Sequence, residues 1–93
     1  MAVRRFRIAF TGALVHYFGP PNDETLHAHP LAAFGMSHYG AFEVRHSRWI
    51  EELRTMNRVH PHHNDARFDR LRHFIWAFHD STFECLAEGF ALE

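Results

Sequence analysis

Histidine is the residue type this chain uses most unusually, and it can ligate metals, carry protons and change charge near neutral pH. Ten histidines occur in 93 residues. Three cluster in His60-Pro61-His62-His63 and two in His27-Ala28-His29-Pro30. In an extended segment an H-x-H pair points both imidazoles to the same side. If the two segments met, His27, His29, His60, His62 and His63 would offer the neutral nitrogen donors that zinc, copper or iron accept. Asp23, Glu24 or Asp65 would add a carboxylate. Neither spacing matches H-E-x-x-H or another defined metal motif, however. Histidine-rich turns are also commonly just solvated.

Three further groups invite chemistry. His79, Thr82 and Glu84 share one face of the last two strand-like runs, where they would orient a ligand or pass a proton. A hydrogen-bonded cluster beside a turn explains them equally well. Cys85 lies six positions from His79, but an apolar strand position between Phe83 and Ala87 reads as a small core residue, not a thiol nucleophile. Arg54, Arg58, Arg67, Arg70 and Arg72 are interleaved with Glu51, Glu52, Asp65 and Asp69, the pattern of paired charges on helix surfaces. No catalytic constellation is legible in these residues.

Composition narrows the class. The net charge of −1 gives no overall attraction to nucleic acid or to an anionic membrane. Protonating every histidine would add ten positive charges, so a fold or assembly with several buried neutral would loosen on mild acidification. A single cysteine excludes an internal disulfide framework, and no apolar run is long enough for a signal peptide or membrane span, which points to a reducing cytoplasm. Ten Phe, two Trp and two Tyr are generous for so short a chain. Some of them are expected at a subunit interface, where aromatics are enriched.

The elements that must position these groups follow from periodicity. Phe6, Ile8 and Phe10 alternate with Arg5 and Arg7 as in a half-buried strand. Thr11-Gly12 interrupts it before a second run, Ala13 to Phe18, either as a tight hairpin or as one long strand bulged at Gly12. Gly19-Pro20-Pro21-Asn22-Asp23 breaks the chain, with a short helical turn near Asn22 or Asp23 and an ordered loop to about Gly40. A loop that long in a small domain is more often functional than a short one. A brief strand over 41–45 leads to Ser47 as N-cap of a helix to about Val59, with Trp49, Ile50, Leu53 and Met56 as its apolar stripe. Asn64 or Asp65 caps a second helix to about Arg72, anchored by Phe68 and Leu71. Two strands, 73–79 and 82–90, surround Asp80-Ser81. A two-residue loop there sets His79 opposite Thr82, Phe78 opposite Phe83 and Trp76 opposite Cys85. One face, with Phe74, Trp76, Phe78, Phe83, Cys85 and Ala87, is uniformly apolar and expected to point at the core. The other, with Ile75, Ala77, His79, Thr82, Glu84 and Leu86, is mixed.

The order predicts an α+β fold: one domain over residues 1–91, with an antiparallel sheet of about four or five strands and two helices packed on one face. Leu92-Glu93 reads as a cloning scar. The leading functional expectation is a small non-enzymatic module that self-associates, as a homodimer or other homo-oligomer, or binds a protein partner. It would do so through its aromatic-rich sheet or the 19–40 loop, with neither nucleic acid nor membrane as partner. The alternative is a histidine-liganded metal-binding protein with zinc or another transition metal, extending to a small metal-dependent enzyme.

Overall fold

A computed structural model describes residues 7–22, 29, 40–78 and 80–93. Its elements are β1 (Ile8–Thr11), β2 (Val15–Gly19), β3 (Ala41–Val44), α1 (Arg48–Asn57), α2 (Asp65–Asp69), β4 (Arg72–Ala77), β5 (Thr82–Ala87) and β6 (Gly89–Leu92). The chain is α+β. The strands form a four-stranded antiparallel sheet in the order β2-β5-β4-β3 and a two-stranded ribbon of β1 with β6. The described residues thus hold six strands in two sheets, where four or five in one were expected.

The expected long terminal strands are each broken once. β1 pairs with β6 and β2 with β5, so Gly12 marks a break in one long strand and not a hairpin turn. Gly12 supplies the φ of +61° that the break needs, a conformation in which a Cβ is strained. Glu88 interrupts the opposite strand, donating its N–H to the Thr11 carbonyl at 2.8 Å, while Leu14 N–H reaches the Leu86 carbonyl at 2.8 Å. The ladder therefore changes register by one residue across the break, as a β-bulge does. Leu92 pairs with Ile8 and the backbone of Glu93 bonds that of Arg7, so both C-terminal residues belong to the ribbon.

Helix α1 begins where its cap demands. Ser47 is extended (φ −60°, ψ 121°) and its hydroxyl accepts the Ile50 N–H at 3.3 Å. Asn64 caps α2 by accepting from the Ala66 N–H. Ile50 and Phe68 from the two helices form a buried cluster with Leu71 and Leu86, and Leu14, Val15, Trp49 and Leu53 pack around it. Met56, expected in the apolar stripe of α1, is 68% exposed and takes no part.

The β4–β5 hairpin corrects the expected register. Its register pairs Trp76 with Phe83, Ala77 with Thr82 and Ile75 with Glu84, two residues away from the predicted pairing. The turn takes four residues, not two, and Phe78 N–H bonds the Ser81 carbonyl at 2.8 Å. Because side chains alternate with period two, a slip of two keeps every residue on its predicted face. Both faces of the hairpin carry buried residues, and the helices cover the mixed one. Leu86, in their cluster, lies on the mixed face. The uniformly apolar face instead receives Phe10 from the ribbon, packed against the cluster of Phe74, Cys85 and Ala87.

Candidate functional site

The same hairpin presents different chemistry on its two sides. On the mixed face the two-residue register shift changes Glu84's neighbours. Ile75 lies directly across, and His73, two residues along the same strand, becomes its diagonal neighbour on the same side. His73 Nε2 is 2.8 Å from Glu84 Oε1. His29, reaching in from the segment after β2, places its Nε2 3.1 Å from Glu84 Oε2. At the far side of the ring, His73 Nδ1 is 2.8 Å from the hydroxyl of Ser47, the cap of α1. Four side chains from β4, β5, the α1 N-terminus and the 19–40 segment thus form one continuous chain.

This chain lies out of the solvent. Ser47 is 4% exposed and His73 3%, His29 is also buried, and Trp49 sets its ring edge-on to His73 at 5.4 Å. Burial pushes the Glu84 carboxyl upward, but hydrogen bonds from His73 and His29 outweigh it and hold the group below the usual carboxylate range. An ionised carboxylate only accepts, so both Nε2 atoms carry their protons toward Glu84. On its other side the His73 ring shares a hydrogen bond with the Ser47 hydroxyl through Nδ1. Ser47 in turn accepts the Ile50 N–H. Hydrogen bonds thus join the Ile50 N–H, Ser47, His73, Glu84 and His29 end to end.

Of the expected binding group, Thr82 and Glu84 are on the buried face and His79 lies outside the described residues. Thr82 is fully buried and donates to the Pro21 carbonyl at 2.7 Å, tying the segment after β2 to the sheet. Opposite Thr82 stands Ala77, where His79 was expected. Of the expected metal ligands, His27 also lies outside the described residues, and His29 is on Glu84. His60, His62 and His63 form their own turn between α1 and α2. His60 Nδ1 accepts from His62 N–H at 3.0 Å, and His63 contacts Asn57 at 2.8 Å and Asp65 at 2.6 Å. The hydrogen bond to His63 is the chief cause that holds Asp65 below the usual carboxylate range. Among the described residues no group of three or more His, Cys, Asp or Glu side chains is arranged to hold a metal ion.

Ser47 and His73 are the members of the chain that sequence reading passed over. Ser47 read only as a helix cap and His73 only as the start of a strand. The spacing of His73 and Glu84 was visible, but their meeting depends on a turn length that residue types alone left open.

On the other face the residues are aromatic. Phe10 packs against Trp76 edge-on at 5.7 Å, and against Phe74 and Phe83 at 6.4 and 5.7 Å. Phe90 lies edge-on to Phe74 at 5.1 Å and to Trp76 at 5.5 Å. The register puts Phe18 beside Phe83 on this side, and it is 65% exposed. Phe90 and Leu92 on the ribbon are also exposed, while Trp76 and Phe83 are half-buried. Cys85 lies beneath this layer, 2% exposed, with burial pushing its thiol up and away from reactivity. No helix among the described residues is long and apolar enough to cross a membrane.

Comparison with protein-family models, characterised proteins and solved structures returns no match.

Proposed function

We propose that this domain works by association, pairing with a second copy of itself through the aromatic face of its sheet. The observation that carries the reading is a sheet face whose aromatics are only partly covered: Phe18 and Phe90 stand in water beside the half-buried Trp76 and Phe83. Contiguous exposed apolar surface of this kind is what homodimer interfaces bury.

The exposed apolar side chains Phe18, Phe90 and Leu92 lie on the same side as Trp76 and Phe83, where a standard interface of about 800 Å² from each partner would be centred. Arg72 sits over the Phe74 ring at 4.8 Å and is paired with Glu43, so its charge would enter such an interface already matched.

The test is sedimentation equilibrium on the untagged protein over a wide concentration range, beside Phe18→Asp and Phe90→Asp. Phe18 is the more exposed of the two, while Phe90 also packs on Phe74 and Trp76, so the fold of each variant is checked by circular dichroism. The expected result is a wild-type dimer and monomeric variants with an unchanged circular dichroism spectrum. A wild-type chain that stays monomeric at high micromolar concentration, or a dimer that both variants leave intact, overturns the reading.

A further inference from the structure

We propose that His16 makes pairing through the aromatic face sensitive to pH: the neutral imidazole lies within the paired face, and its protonation in mild acid drives the two copies apart. The inference rests on the self-association reading above and adds the group that regulates it.

The first observation is where His16 sits. It faces Cys85 across the β2–β5 pair, two residues before Phe18, so the strand period puts it on the aromatic side. Its ring stacks on Phe83 at 6.1 Å, with 25° between the planes. Phe83 is also the partner of Phe18 in the same ladder and of Trp76 in the next. His16 therefore stands beside the rings from which the pairing surface is built, and like Phe18 it is exposed. A copy laid over those rings covers the imidazole as well.

The second observation is what surrounds it. A protonated imidazole is stable in water or against a carboxylate, and costly in a dry aromatic interface. On β2, Phe18 shares its side, while Tyr17 faces the other way and donates its hydroxyl to the Pro20 carbonyl at 3.0 Å. On β5 its neighbours are Phe83 and the buried Cys85, and Glu84 points to the opposite side, onto His73 and His29. Glu43 on β3 is taken by Arg72 on β4, and Glu88, at the break before β6, by Arg70. Asp80 lies in the β4–β5 turn, outside the paired residues. Arg7 and Glu93 alternate with Ile8 and Leu92 along the ribbon and fall on its other side. Among the described residues no carboxylate is thus paired with His16 to carry its charge into an interface.

Symmetry doubles the effect. In a two-fold pair the same patch serves both copies, so a group on it enters twice. Two imidazoles lose their water together, and two protons must be given up for each dimer that forms. Phe83 offers the imidazolium the same ring face before and after pairing, so that contact does not offset the lost hydration. Histidine is the side chain that changes charge between about pH 5 and 8, which places the response there. Once the free chains hold the two protons, each further unit of acidification weakens the dimer by up to about 100-fold, tenfold per proton.

The other buried titrating groups do not supply this response. His29 and His73 sit with Glu84 on the opposite face of the hairpin, away from the pairing surface. The Glu84 carboxyl is held below the usual carboxylate range, so it keeps its charge, and its hydrogen bonds, in mild acid. Dissociation is therefore expected while each chain stays folded.

The test is sedimentation equilibrium of the untagged full-length protein at about pH 7.5 and about pH 5.5, on either side of the usual histidine range. His16→Gln and His16→Phe, both uncharged at either pH, are measured beside it, and circular dichroism follows folding throughout. The expected result is a wild-type dimer whose Kd rises roughly 10- to 100-fold at the lower pH, and variant dimers equally tight at both. A wild-type Kd that does not change, or a rise that both variants share, overturns the proposal while the self-association reading stands. A wild-type chain that has unfolded at the lower pH also overturns it, because dissociation then follows from the fold and not from the interface. A chain that is monomeric at both pH values overturns both.

Discussion

Glu84→Gln is the substitution through which the buried polar chain is best measured. Glutamine keeps the shape of the side chain but offers one accepting oxygen and one donating NH2 group where glutamate offers two acceptors. Two imidazoles present Nε2–H to this position, at 2.8 and 3.1 Å. In the variant one of them meets a donor. His73 is bonded at both nitrogens, Nε2 to this position and Nδ1 to the Ser47 hydroxyl, so its ring cannot turn away without losing the second bond. One buried donor is therefore left unmatched, which costs about 1–3 kcal/mol. With a urea dependence of about 1–1.5 kcal/mol per molar for a domain of this size, the midpoint falls by roughly 1–2 M. The assay is urea unfolding followed by Trp fluorescence, with wild type and variant compared at each pH. The sign of the pH dependence follows from the depressed Glu84 carboxyl. Its contribution is complete above the ordinary glutamate value of about 4.3 and is lost as pH falls through the lower folded value. The two proteins should thus differ most near neutrality and converge in the acid range. Coincident midpoints at neutral pH would refute the reasoning, as would a gap that widens on acidification.

Other consequences are open to direct measurement. Leu86→Ala opens a hole where the helices meet the sheet at a fully buried residue, and is expected to cost about 2–5 kcal/mol in chemical denaturation. Val59→Ala at a 90% exposed position should stay within about 0.5 kcal/mol. Gly12→Ala puts a Cβ at a φ of +61° and should cost about 1–2 kcal/mol, lowering the thermal midpoint by several degrees; an unchanged midpoint would show that the break tolerates another geometry. Thr82→Val leaves the Pro21 carbonyl without its donor, with an expected loss of about 1–3 kcal/mol in the same denaturation assay. Native Cys85 should react with an aromatic disulfide reagent only as fast as the protein opens, and rapid labelling without denaturant would contradict its burial.

Much of the candidate site was half visible beforehand. Glu84 and Thr82 stood out as polar residues on an otherwise apolar hairpin, and His29 as part of a histidine pair. Their meaning changed on folding. His29 was expected to face other histidines and instead sits on a carboxylate, while His60, His62 and His63 spend nitrogens on their own turn. Ser47 looked complete as a cap. Nothing local could show that a histidine 26 residues later would bond its hydroxyl.

Local chemistry determined what local chemistry can. Ser47 and Asn64 start helices because their side chains satisfy backbone donors a turn away. Residues 74, 76, 83 and 85 share a face because the strand period is two. That division into faces survived a wrong turn length, since a slip by an even number of residues leaves it intact. The pairing itself did not survive, and nothing local chose the face to be covered by helices. Both are decided between segments far apart in the chain. The four-residue turn sets the register, the register sets His73 beside Glu84, and the route from β3 through α1 and α2 brings Ser47 and Leu86's partners to the mixed face. Long-range contacts carry no signature in spacing, so only the folded chain could reveal one side of this hairpin as a polar relay and the other as an aromatic surface.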